Sequence, residues 1–138
     1  MQKLILSPYE CGQLVPHWME LDDSKLKNLK RMSTRKSNFS SEKRVMCPVG
    51  LLISEDGYII NGKHRASYAR YKGFNHEAYC VNDKNDIIYH TPHKAYGNLG
   101  IEEIVESFLM REKYISLCKN QGVYLIDDLI EKNIDLFH

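Results

Sequence analysis

The chain has 138 residues, 43% hydrophobic and 27% charged, with a formal net charge of +1. That length suits one domain with at most a small appendage, and the composition is that of an ordinary folded globule. No apolar run approaches the roughly 20 residues of a membrane helix. The opening Met1–Leu6 is too short for a signal peptide and lacks a small-residue cleavage site, so a cytoplasmic protein with no membrane partner is expected. Cys11, Cys47, Cys80 and Cys118 are scattered without any CxxC pair. That argues against a zinc knuckle or a thioredoxin-type site and predicts reduced, mostly buried thiols.

In chain order, Leu4–Leu6 reads as a first strand stopped by Pro8, and Cys11–Leu21 as an irregular stretch with Gly12 and Pro16. Asp22, Asp23 or Ser24 can cap a helix whose Leu26, Leu29 and Met32 share one face. Residues 22–44 carry eight basic side chains, Lys27, Lys30, Arg31 and Arg35 among them, against three acidic ones. Such a patch can attract nucleic acid, or it can be a solvated helix face and loop. The serine-rich Ser33–Lys43 reads as an exposed connection or a lid.

Val49–Ser54 and Tyr58–Asn61 form a predicted hairpin turned by Glu55-Asp56-Gly57. A helix over His64–Lys72 follows, with Tyr68 and Tyr71 on its inner side and Gly73 as a left-handed cap. Ile53, Ile59, Ile60, Tyr68 and Val81 are expected in the core, with Gly62 at the strand–helix junction. Glu77–Val81 and Ile87–His90 read as two more strands around Asn82–Asn85. Ile101, Ile104, Val105, Phe108, Leu109, Ile115 and Cys118 recur at helical spacing up to Gly122, and a shorter helix holds Leu125, Ile126, Leu129 and Ile130. The pattern predicts an α+β fold with a small mixed sheet. Residues 1–98 form its α/β core, and 99–138 form a helical extension packed on that core.

The richest stretch is Asp56–Gly73. A strand that enters a helix through a glycine exposes the helix's first N–H groups, which bind phosphate well. Lys63, His64 and Arg65 put charge in that first turn, where the helix dipole disfavours cations by roughly 0.3–1 kcal/mol each, so a bound anion is expected. Gly62 allows close backbone approach, and Arg65 can grip an anion bidentately or bridge a local carboxylate. His64 can donate, exchange a proton or cap a turn. His64 stands where a Walker A loop needs Ser or Thr, so Gly57–Lys63 is not one.

The glycine at Gly62, the polar Lys63, the pair His64-Arg65, Ala69, the closing Gly73 and the flanking apolar strands resemble the ParB/sulfiredoxin superfamily over roughly residues 47–82. The resemblance implies a phosphate- or nucleotide-binding protein, with Gly62, Lys63, His64 and Arg65 on the ligand and ATP or another nucleotide with magnesium as cofactor. It also implies a choice of activities, a nucleotide-dependent phosphotransferase or a nucleotide hydrolase, with Glu10 and His64 as catalytic candidates. Lys63 occupies the position of the catalytic cysteine of sulfiredoxins, which argues against that reductase chemistry. The ParB arginine motif and the helix-turn-helix after it are missing, which argues against specific operator binding. The alternative is a nucleic-acid-binding module, a nuclease or a protein-interaction module, using Lys27, Lys30, Arg31 and Arg35 or the C-terminal helices. His76, His90 and His93, beside Asp83 and Asp86, lack metal-ligand spacing and read as surface residues, so no metal site is assigned. Trp18, Tyr9, Phe39 and Tyr96 can stack on a base, or pack in the core or at its rim.

Overall fold

The computed structural model describes residues 2–33, 39–40, 45–90 and 101–138. The fold is α+β. A mixed sheet is built from β1 (Gln2–Leu6), β2 (Phe39–Ser40), β3 (Val45–Ser54), β4 (Ile59–Asn61) and β5 (Asn75–Val81). Its order is β1-β5-β3-β2, and β4 pairs with the far end of β3. β1 runs antiparallel to β5, and β5 runs parallel to β3. The antiparallel β3–β4 pair is the expected hairpin, with Ile53 opposite Ile59 and Leu52 opposite Asn61.

Alternation along the strands gives the sheet two apolar faces. Leu51, Ile53, Ile59 and Ala78 face one core, and Leu52, Tyr58, Ile60 and Val81 face the other. The first core is covered by α1 (Pro8–Gly12), α2 (Asp23–Ser33), α3 (Lys63–Lys72) and α7 (Ile126–Lys132). The second is covered by α4 (Lys84–His90) and α5 (Ile101–Leu109). Between α5 and α7, α6 (Arg111–Asn120) reaches both, with Cys118 in the first core and Ile115 against the second. Full burial of each Leu or Ile contributes roughly 1.5–3 kcal/mol. The C-terminal helices therefore complete the core, through Ile104, Phe108, Val123, Ile126 and Leu129.

Ile53, Ile59, Ile60, Tyr68 and Val81 are all buried, as the hairpin pattern requires. Tyr71 differs. It is 37% exposed and lies against Phe137 of the closing 3-10 turn, Ile134–Phe137. The stretch expected to be irregular begins with α1. Ser7 caps it and Glu10 reciprocates, a capping box with Pro8 in the first turn. The expected strand Ile87–His90 is instead the end of α4. Asp83 Oδ1 accepts the N–H groups of Asn85 and Asp86 at 2.9 and 3.0 Å, and this cap overrides the β preference of the paired isoleucines. The helical spacing over 101–118 is broken at Met110 into α5 and α6.

Gly62 is the one-residue link between β4 and α3. Its φ is 112°, and a Cβ there would lie 2.6 Å from Leu51 Cδ2 and 3.1 Å from Arg65 Nη2. Gly73 also has positive φ, 80°, but a Cβ there would meet nothing within 4 Å. Gly73→Ala should therefore cost only the backbone term, about 1–2 kcal/mol. Gly62→Ala should cost more, because Leu51 in the core must move as well. Urea denaturation of the two variants checks the order, and equal losses would refute this packing.

Candidate functional site

Gly62 brings no capping side chain to α3, and the first turn of that helix holds no acidic residue. The helix's first donors and its positive end are thus left uncompensated by the helix's own side chains. The Gly62 carbonyl accepts the Ala66 N–H at 2.9 Å, so the helix is regular from its first bond. Successive helical residues are about 100° apart, so the three basic side chains that follow leave in three directions.

His64 turns to α2. Its Nε2 accepts the Asp22 N–H at 2.8 Å. Asp22 in turn caps α2, accepting from the Ser24 N–H at 2.9 Å and the Ser24 hydroxyl at 2.6 Å. A nitrogen that accepts holds no proton, so the ring is neutral. Burial, followed by the charges of Lys63 and Lys25, pushes its pKa down to about 3. In this arrangement His64 is a structural acceptor near neutral pH rather than a charged donor.

Arg65 turns to the sheet. Nη1 donates to the Gly50 carbonyl at 3.3 Å, and Nη2 lies beside Gly62. Its charge reaches His76, which the sequence places at the surface but which is fully buried on β5. Burial, then Arg65, pushes the His76 pKa down to about 4. Nδ1 of His76 donates to the Glu77 carbonyl at 2.7 Å, and among the described residues the buried Nε2 has no hydrogen-bond partner.

Lys63 turns into a cavity of about 360 Å³ between β4, α5 and α6. One wall is the segment after α1, which is pinned along β4. Val15 donates to the Gly57 carbonyl and the Ile59 N–H donates to the Val15 carbonyl, both at 2.9 Å. That pairing delivers His17 and Trp18 beside Ile60 and Lys63. The opposite wall carries Glu103, Glu106 and Ser107 of α5 and Tyr114 of α6. It is tied to the sheet by the Tyr58 hydroxyl, which lies 2.8 Å from Ser107 Oγ. Burial, then Lys25, pushes the Lys63 ammonium down to about 8, while Cys118 and Glu20 act the other way. Burial, then Lys63, pushes His17 down to about 4.

The other expected site residues lie elsewhere. Glu10 is exposed, and its Oε1 accepts the Ser7 N–H at 3.0 Å within the α1 cap. Lys27, Lys30 and Arg31 lie on the exposed side of α2, where Lys27 pairs with Asp23 at 2.9 Å. Arg35, Tyr96 and His93 lie outside the described residues, as do the side chains of Phe39 and His90. Asp83 and Asp86 bond backbone N–H groups at the start of α4. Among the described residues no group of three or more His, Cys, Asp or Glu side chains could hold a metal ion. Among the described residues no helix is long and apolar enough to cross a membrane.

His17, Glu103, Glu106 and Tyr114 had no sequence signal as a set, since more than 80 residues separate His17 from Glu103. Comparison with protein-family models, curated proteins and solved structures gives no match for this chain.

His17, His64 and His76 share one electrostatic condition, a folded pKa below the roughly 6.5 of an unfolded histidine. The unfolded chain takes up protons first as the pH falls, so stability held above pH 6.5 is lost progressively towards pH 4. The urea midpoint should therefore fall between pH 7 and pH 5. His64→Gln can still accept the Asp22 N–H and does not titrate, so its profile should be flatter. A His64→Gln profile identical to the parent's would show that His64 contributes nothing to the acid response.

Proposed function

We propose that this chain is a phosphate- or nucleotide-binding protein, with the N-terminus of α3 and Lys63 as the anion site. The observation that carries the reading is Lys63 itself. It enters no described ion pair, it is depressed by burial, and it lines a cavity at an uncapped helix start. Keeping a cation there costs stability, and a bound anion would offset that cost. Ligand binding would then raise the lysine pKa again.

Two features support a nucleotide as the ligand. The cavity has a volume suited to a nucleoside, and Trp18 on its wall is 39% exposed and can stack on a base. The order of strand, left-handed Gly62, helix and left-handed Gly73 is also the one implied by resemblance to the ParB/sulfiredoxin superfamily. Arg65 supports the site from below by holding the Gly62 turn against β3. A nucleic-acid module would work through the exposed cations of α2 instead, and its DNA binding would weaken steeply with salt.

Calorimetry with ribonucleoside triphosphates and magnesium tests the reading. Lys63→Ala should weaken binding by roughly 1.5–3 kcal/mol, the scale of a charge-assisted hydrogen bond. Binding by the parent should take up protons near pH 8 and weaken as the pH rises through that value, because the ligand favours charged Lys63. If Lys63→Ala stays folded and binds as tightly as the parent, Lys63 is not the anion site.

The unliganded protein gives an independent check. The folded state holds Lys63 with a pKa near 8 against 10.5 for a free lysine, so its charged form is a burden at pH 7. Lys63→Met removes the charge and keeps the stem, so it should raise Tm by a few degrees. A lower Tm would show that the ammonium is already well satisfied.

A further inference from the structure

Lys63 borders the cavity, and no hydrogen bond or ion pair to a described residue holds its ammonium. Two buried side-chain nitrogens lack a partner among the described residues, Asn61 Nδ2 and His76 Nε2, and the Lys63 ammonium is not one of them. A nitrogen that is neither bonded nor sealed in has open space beside it, and the space that Lys63 borders is the cavity. The surroundings work against its charge. Burial pushes the pKa down to about 8, Lys25 adds to the effect, and Cys118 and Glu20 oppose it. His17 and His64 share this neighbourhood and are held neutral by burial and then by Lys63 itself.

An amine is a nucleophile only after it has lost its proton. At pH 7 roughly a tenth of Lys63 is neutral, against less than a thousandth of a lysine with the ordinary pKa of 10.5. Desolvation beside a second cation is a recurring way in which proteins ready a lysine to attack a carbonyl carbon. The cavity suits a short carbonyl compound. Its volume of about 360 Å³ is that of a small-ligand site, and Trp18 and Tyr114 offer apolar surface to a carbon chain. The uncapped start of α3 offers N–H donors to an anionic group on the same ligand.

We propose that Lys63 is a Schiff-base lysine, whose amine joins in this cavity to a small aldehyde or ketone that carries a carboxylate or phosphate. The inference goes beyond the anion-site reading: it uses the same helix start for the ligand's anionic group and requires no nucleotide. The nitrogen lone pair attacks the carbonyl carbon, and the π pair moves onto the oxygen. A proton passes from nitrogen to that oxygen, which gives a carbinolamine. The C–O bond then breaks with uptake of one proton from solvent, and water leaves. Nothing is oxidised or reduced. The product is a protonated imine, so the side chain keeps a positive charge beside the ligand's anion.

The test uses the full chain at pH 7 with glyoxylate and, as its uncharged counterpart, acetaldehyde. Sodium cyanoborohydride reduces each imine to a stable secondary amine, and mass spectrometry of peptides locates the adducts and times their growth. Among the lysines, glyoxylate should modify Lys63 roughly tenfold faster than the exposed Lys27 and Lys119, because its larger neutral fraction outweighs its weaker intrinsic nucleophilicity. Acetaldehyde should show a smaller preference for Lys63. Lys63→Arg keeps a cation, and it should lose the fast lysine adduct while the slow ones remain. If glyoxylate shows no preference for Lys63 in the parent, or if an equally fast lysine adduct survives in Lys63→Arg, the inference is overturned. The parent's adduct map decides the matter even where the variant fails to fold. An equal preference with acetaldehyde overturns the anionic part of the ligand class. Nucleotide calorimetry judges the other reading separately: a parent that binds no nucleotide but is modified fastest at Lys63 refutes nucleotide binding and supports the Schiff base.

Discussion

The site depends on a single backbone constraint, the left-handed residue that turns β4 into α3 in one step. Because Gly62 packs on Leu51 and under Arg65, the direction of α3 relative to the sheet is set with little room for adjustment. That direction puts the first turn of the helix at the end of the sheet, where the chain after α1 and the helices after α4 also meet. A side chain at residue 62 would disturb the core and the helix start together. The left-handed glycine is therefore both a packing requirement and the reason the helix's first donors lack a side-chain cap.

Helical geometry then divides work among three consecutive basic residues. Lys63 points to the cavity, His64 to the cap of α2 and Arg65 to the sheet. A cluster that reads as one concentrated charge along the sequence becomes a cavity-lining residue, a structural acceptor and a tether. The separation has an electrostatic benefit. His64 stays neutral beside Lys63, and Arg65 spends its charge on the far side of the turn, near His76. Of the three, Lys63 is the one whose side chain lines the cavity, where burial pushes its pKa down.

The long-range contacts around the cavity are of ordinary kinds. Tyr58 reaches α5 through Ser107, and Arg111 reaches Asp56 in the β3–β4 turn at 3.5 Å. On the opposite side of the sheet Arg70 pairs with Asp127 at 2.9 Å, tying α3 to α7. The two ion pairs are partly exposed and individually weak. Their common effect is positional: they hold the C-terminal helices against the hairpin and against α3.

Local chemistry determined much of this protein. The hairpin, Gly62, α3 with its Gly73 cap and the burial of Ile59, Ile60 and Tyr68 follow from alternation, helical spacing and glycine's tolerance of positive φ, all of which act over a few residues. Ser7-Pro8-Tyr9-Glu10 and Asp83-Lys84-Asn85-Asp86 were equally local signals, and both are caps: α1 and α4 were legible to a reading that weighed capping above β-branched content. The cavity was a different matter. His17 carries no motif, and its place on the cavity wall is fixed only when its Nδ1 meets the carbonyl of Ile59, 42 residues away. Glu103, Glu106 and Tyr114 reach it only after α5 and α6 pack on the sheet. The tertiary structure decided these points because a histidine's proton, a lysine's pKa and a cavity's walls are set by distances in space, which residues far apart in sequence acquire only when the core closes.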